Sequence, residues 1–344
     1  MIKIRPDIAL TFDDVMLVPC FSKIDSRFDG SIDLSTTLGN IKLKYPIISA
    51  NMDTVTTGTM AQAMYLWGGT GIPHRFMTPR EQAIELSLVT GPRIACIGVG
   101  NSSRERLDII TSFVGLDGVL IDIAHGHCSA MCEQILWVRT NYPRLTIIAG
   151  NVATKKGALD LIEAGANVIK IGVGPGSLCT TRVKTGNGVP QLTAISDVAD
   201  AIEELDTPVW LIADGGIRSS GDIIKALAAG ADAVMVGSLL AGTDETPGDI
   251  YTYIDGHKAT KIYRGMASKD AQKSWKGYAT SVEGESKTVP CRGPVKDVLD
   301  DLLAGILSGM SYQNARNIHE LQMNCEFIRQ TYYGHKEGLP HGLL

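Results

Sequence analysis

LTIIAGNVATKKGALDLIEAGANVIKI, residues 145–171, is the stretch on which the fold turns. It begins with an apolar run, Leu145-Thr146-Ile147-Ile148, and ends with another, Val168-Ile169-Lys170-Ile171. Between them, Lys155 to Ala164 carries helical spacing, closed by Gly165 at the start of a Gly-Ala turn. Glycine ends a helix there because it accepts positive φ without a Cβ clash. Unalternating apolar runs of about four to six residues are what parallel strands buried on both faces require. The stretch therefore reads strand, helix, strand.

The same unit recurs on either side. The other apolar runs are Tyr45–Ser49, Gly69–Ile72, Ile94–Ile97, Gly118–Ile121, Val209–Ile212 and Ala233–Val236, and Gly221–Ala229 is helical up to Gly230. Eight such runs over about 200 residues fit an α/β fold of the (β/α)8 TIM-barrel type, whose usual size is about 250 residues. A doubly wound open sheet is the rival, but no G-x-G-x-x-G follows the first strand. The chain is expected to be one domain, 1–344. Residues 1–40 read as an N-terminal extension, and about 255–295 as a polar, Gly-rich loop too long to be anything but functional. Helical spacing returns at Val295–Ile306 and Asn314–Ile328, and the tail from Tyr332 reads as coil.

Composition excludes several classes. Lys plus Arg is 32 and Asp plus Glu 37, a net charge of −5 with no basic block, which argues against a nucleic-acid groove. No uncharged apolar run reaches the roughly 18 residues of a membrane span. The start, Met1-Ile2-Lys3-Ile4-Arg5-Pro6-Asp7, lacks the apolar core of a signal peptide. Seven scattered cysteines argue against a disulfide framework, and the chain reads as cytosolic. Glycine is the outlier at 37 of 344 residues, against a usual share of about 7%.

In a barrel, chemistry belongs to the loops after the strands. Those loops carry Asn51-Met52-Asp53, His74-Arg75, Asp122 with His125 and His127, Asn151, Gly172 to Arg182, Asp214 to Arg218, and Gly237-Ser238-Leu239. Loops seven and eight, with Gly215-Gly216 and Gly237-Ser238, suit a phosphate held by backbone amides and a helix N-terminus. Loop six, Gly172-Val173-Gly174-Pro175-Gly176-Ser177-Leu178-Cys179-Thr180-Thr181-Arg182, is the sharpest signal. Its glycines expose backbone for an anion or, through carbonyls, a monovalent cation. A cysteine at its tip, beside hydroxyls and near Arg182, suits a nucleophile with a stabilised thiolate. The other six cysteines have no comparable setting, and no carboxylate stands at zinc-site spacing from His125 and His127.

Gly174–Arg182, Ala213-Asp214-Gly215-Gly216-Ile217-Arg218 and Tyr263-Arg264-Gly265-Met266-Ala267-Ser268 together resemble the IMP dehydrogenase/GMP reductase family. The resemblance runs from Leu10-Thr11-Phe12-Asp13-Asp14-Val15 to Phe327-Ile328-Arg329. It implies a TIM-barrel homotetramer acting at C2 of a purine nucleotide, GMP or IMP, with a nicotinamide cofactor. It makes Cys179 the nucleophile and Thr181 with Glu283 a proton relay. Asp214 falls to the ribose, Ser177, Gly216, Gly237, Ser238 and Tyr263 to the phosphate, and Met52, Gly265 and Met266 to the rest of the nucleotide. Asp122, Ala124, Gly172 and Gly174 fall to the cofactor, and the carbonyls of Gly174, Gly176 and Cys179 to K+.

Two reactions occur in the family. Dehydrogenases more often carry a regulatory insert after the second strand, for which the 24 residues from Gly71 to Ile94 leave no room, and a flap Arg-Tyr pair that activates water. Here no arginine lies between Ser268 and Glu283, and Ala50-Asn51-Met52-Asp53-Thr54-Val55 is of the reductase form. The resemblance thus implies NADPH-dependent reductive deamination of GMP. Arg292-Gly293-Pro294-Val295 and Ser308-Gly309-Met310-Ser311-Tyr312 look dehydrogenase-like, which keeps NAD-dependent oxidation of IMP as the alternative.

Overall fold

A computed structural model describes residues 2–28, 30–252, 259–280 and 282–340. Eight parallel strands form the barrel: β1 Ile47–Ser49, β2 Thr70–Gly71, β3 Ile94–Ile97, β4 Gly118–Asp122, β5 Thr146–Val152, β6 Val168–Ile171, β7 Trp210–Asp214 and β8 Ala233–Val236. Hydrogen bonding runs β2-β1-β8-β7-β6-β5-β4-β3. Pairing of the first strand with the last, Val234 beside Ile47, is what an open doubly wound sheet lacks. The seam lies between β2, only two residues long, and β3.

Alternation along the strands builds two cores. Ile48, Ile94, Cys96, Leu120, Ile148, Val168, Ile212, Ala233 and Met235 fill the barrel, closed at the N-terminal end by the hairpin Thr36–Leu38/Ile41–Leu43. Ile47, Ala95, Ile97, Val119, Ile121, Ile147, Ile169, Leu211 and Val234 face outward against the surrounding helices. The helices include Lys155–Glu163, Ser220–Ala228 and Val295–Tyr312. Gly165 and Gly230 close the first two with φ of 112° and 109°, as the turns into the next strands require.

Three sequence expectations need correction. Asn314–Ile328 is helical only over Ile318–Asn324; Phe327–Arg329 is a strand paired antiparallel with Val15–Leu17 of the N-terminal extension. The tail is not coil throughout, because Thr331 caps a short helix, Tyr332–Glu337, through the Gly334 amide. Nor is 255–295 a bare loop: Thr260–Arg264 pairs with Ser286–Pro290 as a hairpin around a helix, Lys269–Lys276. Residues 255–258 and 281 of that flap lie outside the described residues, as do 341–344 of the tail. Among the described residues no helix is long and apolar enough to cross a membrane.

One buried carboxylate sets a pH dependence. Asp232, just before β8, is raised to about 6 by burial, which its hydrogen bond from the Leu211 amide (2.7 Å) only partly offsets. A folded-state value above the ordinary 3.8 means that ionisation opposes folding. The penalty is absent below about pH 4, grows between 4 and 6, and is complete above 6, at about 3 kcal/mol for a two-unit shift. Asp232→Asn is therefore expected to raise the melting temperature by a few degrees at pH 7.5, a gain that vanishes near pH 4. Thermal melts of both proteins across that range check it; equal melting temperatures at pH 7.5 contradict it.

Candidate active site

Loop six and the flap meet at the C-terminal rim. Backbone pairing zips them together: the Thr180 amide donates to Glu283 O (2.9 Å), and the Glu285 amide to Leu178 O (3.0 Å). Gly284 is buried in that seam, where a Cβ would lie 3.0 Å from the Ser268 amide nitrogen. This pairing carries Glu283 to the exposed cysteine. The Cys179 thiol donates to Thr181 Oγ1 at 3.1 Å, and Thr181 donates to Glu283 Oε2 at 2.7 Å. A continuous path for a proton thus links a nucleophilic sulfur to a carboxylate.

Arg182 lies within electrostatic reach of Cys179 but makes no hydrogen bond to the sulfur among the described residues. Its guanidinium donates to Val173 O (3.1 Å) and Val189 O, which braces the loop from beneath. The hydroxyl of Thr181 is the group that touches sulfur. At Gly172 a Cβ would lie 2.0 Å from Asp214 O, so the close approach of the two loops requires glycine there. Its carbonyl accepts from Asn151 Nδ2 (2.7 Å).

Around this centre the other expected residues converge. Ser177 Oγ lies 3.2 Å from Tyr263 Oη, and a Cβ on Gly237 would meet Met52 Sδ at 3.1 Å and Tyr263 Oη at 3.2 Å. Gly215, with φ of 93°, brings loop seven against Pro175 and Gly176 of loop six. No carbonyl among the described residues accepts from the amides of Gly216 or Ser238, which leaves both available to an anion. The helix N-terminus after loop seven is not free, however. Ser219 caps it through the Asp222 amide (3.2 Å), and Asp222 accepts from the Arg218 amide (2.9 Å).

Met266 is held at the other wall, its sulfur accepting from the Asp53 amide (3.2 Å). Gly265 approaches the Gly284 backbone. Asp53 accepts two bonds from Arg264, 3.0 and 2.6 Å, with its side chain only 7% exposed. This ion pair fastens the flap hairpin to the loop after β1. Beside it His74 is lowered to about 4 by burial, with Arg264 and Arg106 adding to the effect and Asp53 opposing it; its neutral Nδ1 accepts from the Phe76 amide. Asp53→Asn leaves a half-buried guanidinium unpaired, at a cost of about 2–3 kcal/mol. Protease cleavage within 259–290 is expected to accelerate at least tenfold, and unchanged cleavage would exclude this ion pair as the fastening.

On the opposite side, Ala124 and His125 are exposed on the loop after β4, and Asp122 is tied inward. His127 does not face the site; it bonds Asp160 on the outer wall (2.8 Å). Among the described residues no three His, Cys, Asp or Glu side chains are grouped as a metal site would need. The carbonyls of Gly174, Gly176 and Cys179 lie on one turn, and that of Gly176 already accepts from the Cys179 amide (3.0 Å). Three backbone oxygens are only part of a cation's shell.

The sequence places Asn51 and Asn151 on the rim loops without giving them partners, and it hides Lys170. Lys170, inside an apolar run, meets both Asp122 and Asp214; Asn51 bonds Asp122 (2.6 Å) and Asn151 bonds Asp214 (2.9 Å). A lysine inside an otherwise buried strand was the available signal.

Comparison with known proteins agrees with this geometry. The family model described as IMP dehydrogenase / GMP reductase domain matches residues 9–341. Similar curated proteins include the inosine-5'-monophosphate dehydrogenases of Borreliella burgdorferi, 38% identical over 98% of this chain and 97% of that protein, and of Aquifex aeolicus, 34% identical over 96% and 95%. A similar solved structure is a Cys-to-Ala variant of GMP reductase from Trypanosoma brucei in complex with guanosine 5'-monophosphate. It has a TM-score of 0.90 and 30% identity, and 98% of each chain is covered. A cysteine loop, a flap carboxylate and open amides on the barrel rim thus coincide with a match along nearly the whole sequence, and the chain belongs to the IMP dehydrogenase/GMP reductase family.

Proposed function

We propose that this protein is a GMP reductase, which converts GMP and NADPH to IMP, ammonia and NADP+. The observation that carries the reading is what the flap delivers to Cys179: a carboxylate relayed through Thr181, with no arginine. The flap's own arginines lie outside Ser268–Glu283, Arg264 committed to Asp53 and Arg292 to the Leu239 carbonyl, and Arg182 of loop six is bonded to the Val173 and Val189 carbonyls. An enzyme that must protect its covalent intermediate from hydrolysis gains from lacking a water-activating guanidinium.

Cys179 Sγ attacks C2 of the purine. Its proton passes through Thr181 Oγ1 to Glu283 and on to the 2-amino nitrogen, so the C2–N bond breaks and ammonia leaves a thioimidate on sulfur. Asp214 holds the ribose, the amides of Gly216 and Ser238 with Ser177, Gly237 and Tyr263 hold the phosphate, and Met52, Gly265 and Met266 line the base. The reduced nicotinamide, when bound along Asp122, Ala124, Gly172 and Gly174, supplies a hydride to C2. Cys179 then departs with the C2–S electron pair and takes up a proton. Glu283, returned to its anion, holds Thr181 for the next cycle.

Dehydrogenation of IMP with NAD is the second reading, favoured by the names of the curated relatives. Product analysis separates the two: one ammonia released per GMP consumed supports the reductase, and XMP formed from IMP rejects it. Replacing NADPH with NADH in the same mixture tests the cofactor. No step is derived through K+; rates in potassium and in choline chloride read any dependence on it. We also propose a homotetramer. Tyr65 and Leu66, Ile84 and Leu88, and Ile109 and Phe113 leave apolar side chains exposed on three successive outer helices. Light scattering tests the assembly.

A further inference from the structure

Lys170 takes no part in the chemistry above, yet its surroundings are specific. β6 turns Ile169 and Ile171 outward, and so Val168 and Lys170 inward. In the parallel register Asp122 stands opposite Gly150, and Gly150 opposite Lys170. Gly150 leaves the gap open; a Cβ there would lie 2.8 Å from Lys170 Cβ and 2.5 Å from its carbonyl oxygen. The ammonium therefore reaches across β5 to Asp122 Oδ1 (3.2 Å) and also holds Asp214 Oδ2 on β7.

The rest of each carboxylate is shared out. Asn51 bonds Asp122 Oδ2, Asn151 bonds Asp214 Oδ2, and Asp214 Oδ1 has no partner among the described residues. Lys170 is 2% exposed. Burial alone would drive it toward the neutral amine, but Asp122 and Asp214 more than offset that and raise it above the ordinary lysine value. Burial likewise pushes Asp122 up, and Lys170, with Asn51 and Arg75, overrides it and keeps the carboxyl below its ordinary value.

We infer that Lys170 is a positioning residue that links the two halves of the site, because one ammonium fixes Asp214 on the nucleotide side and Asp122 on the cofactor side. The inference rests on the roles given to those two aspartates above. Ribose hydroxyls donated to Asp214 satisfy part of its charge and free the ammonium to pin Asp122. Filling the nucleotide half thus tightens the cofactor half, and linkage makes the effect reciprocal.

Titration calorimetry with GMP and NADP+, an unreactive pair, tests this. For the wild-type protein, saturating NADP+ is expected to lower the Kd for GMP about fivefold. Lys170→Met is expected to bring that factor to within about twofold of one, and Lys170→Arg to restore it. The ionisable groups facing the two carboxylates are Lys170, Arg75, the Tyr263 hydroxyl, which burial and then Asp214 push up, and the Cys96 thiol, which burial and then Asp122 push up to about 12. Without the ammonium, Asp122, which Lys170 holds below its ordinary value against burial, takes up protons more readily. The ratio of the Kd for NADP+ in Lys170→Met to that in the wild type should therefore rise from pH 8 to pH 6, which a purely structural role would not produce. Should Lys170→Met fail to fold, Asp122→Asn carries the test: a change confined to the cofactor half must still abolish the coupling read at GMP. A factor of one in the wild type, or wild-type coupling in folded Lys170→Met or in Asp122→Asn, overturns the inference alone. A wild-type protein that binds neither GMP nor IMP overturns the functional reading and this inference with it.

Discussion

Cys179→Ser is expected to lower turnover by about three orders of magnitude or more, while the Kd for GMP stays within about threefold of the wild type. A serine hydroxyl still reaches Thr181, so the geometry of the loop survives. What disappears is a sulfur able to add to C2 and leave again under neutral conditions. The proposed ribose and phosphate contacts at Asp214, Gly216 and Ser238 lie on other loops, and the one on the cysteine's own loop, Ser177, is made by its hydroxyl and does not depend on the sulfur. Calorimetric binding of GMP beside steady-state rates reads both quantities. Activity within tenfold of the wild type would remove Cys179 as the nucleophile.

Glu283→Gln should reduce kcat by about 10²- to 10⁴-fold with little change in the KM for GMP. The glutamine oxygen still accepts from Thr181 at the 2.7 Å distance of the native pair, so the flap remains seated. It cannot accept the thiol proton and return it to the leaving nitrogen. The loss therefore falls on a transition state and not on ground-state binding. If KM rises in step with the fall in kcat/KM and kcat is preserved, Glu283 acts in binding, and the relay is wrong.

The barrel was legible because its strands announce themselves. Ile94–Ile97, Val168–Ile171 and Ala233–Val236 coincide with their apolar runs to the residue, and Gly165 and Gly230 mark the turns between. The cysteine loop was legible because three glycines and a thiol within eight residues have few other uses. What the sequence concealed depends on distant partners. Phe327–Arg329 looks like the end of a helix until Val15–Leu17 arrives to pair with it, with Val15 opposite Arg329. Arg182 looks like a direct partner for Cys179 until the chain turns back at Gly188 and takes its guanidinium for the Val189 carbonyl, leaving the sulfur only its charge at a distance. Lys170 looks like one polar residue in a strand until closure of the barrel sets it between carboxylates of β4 and β7.

In the proposed reaction Cys179 works with Glu283 to expel ammonia and not to admit water. Two parallel mixtures decide it: the protein with GMP and NADPH, and the protein with IMP and NAD+, each followed at the absorbance band of the reduced nicotinamide. Decay of the band in the first mixture, with IMP formed in equal amount and no change in the second, is the expected result. Growth of the band in the second mixture, with XMP formed and the first mixture silent, would contradict it.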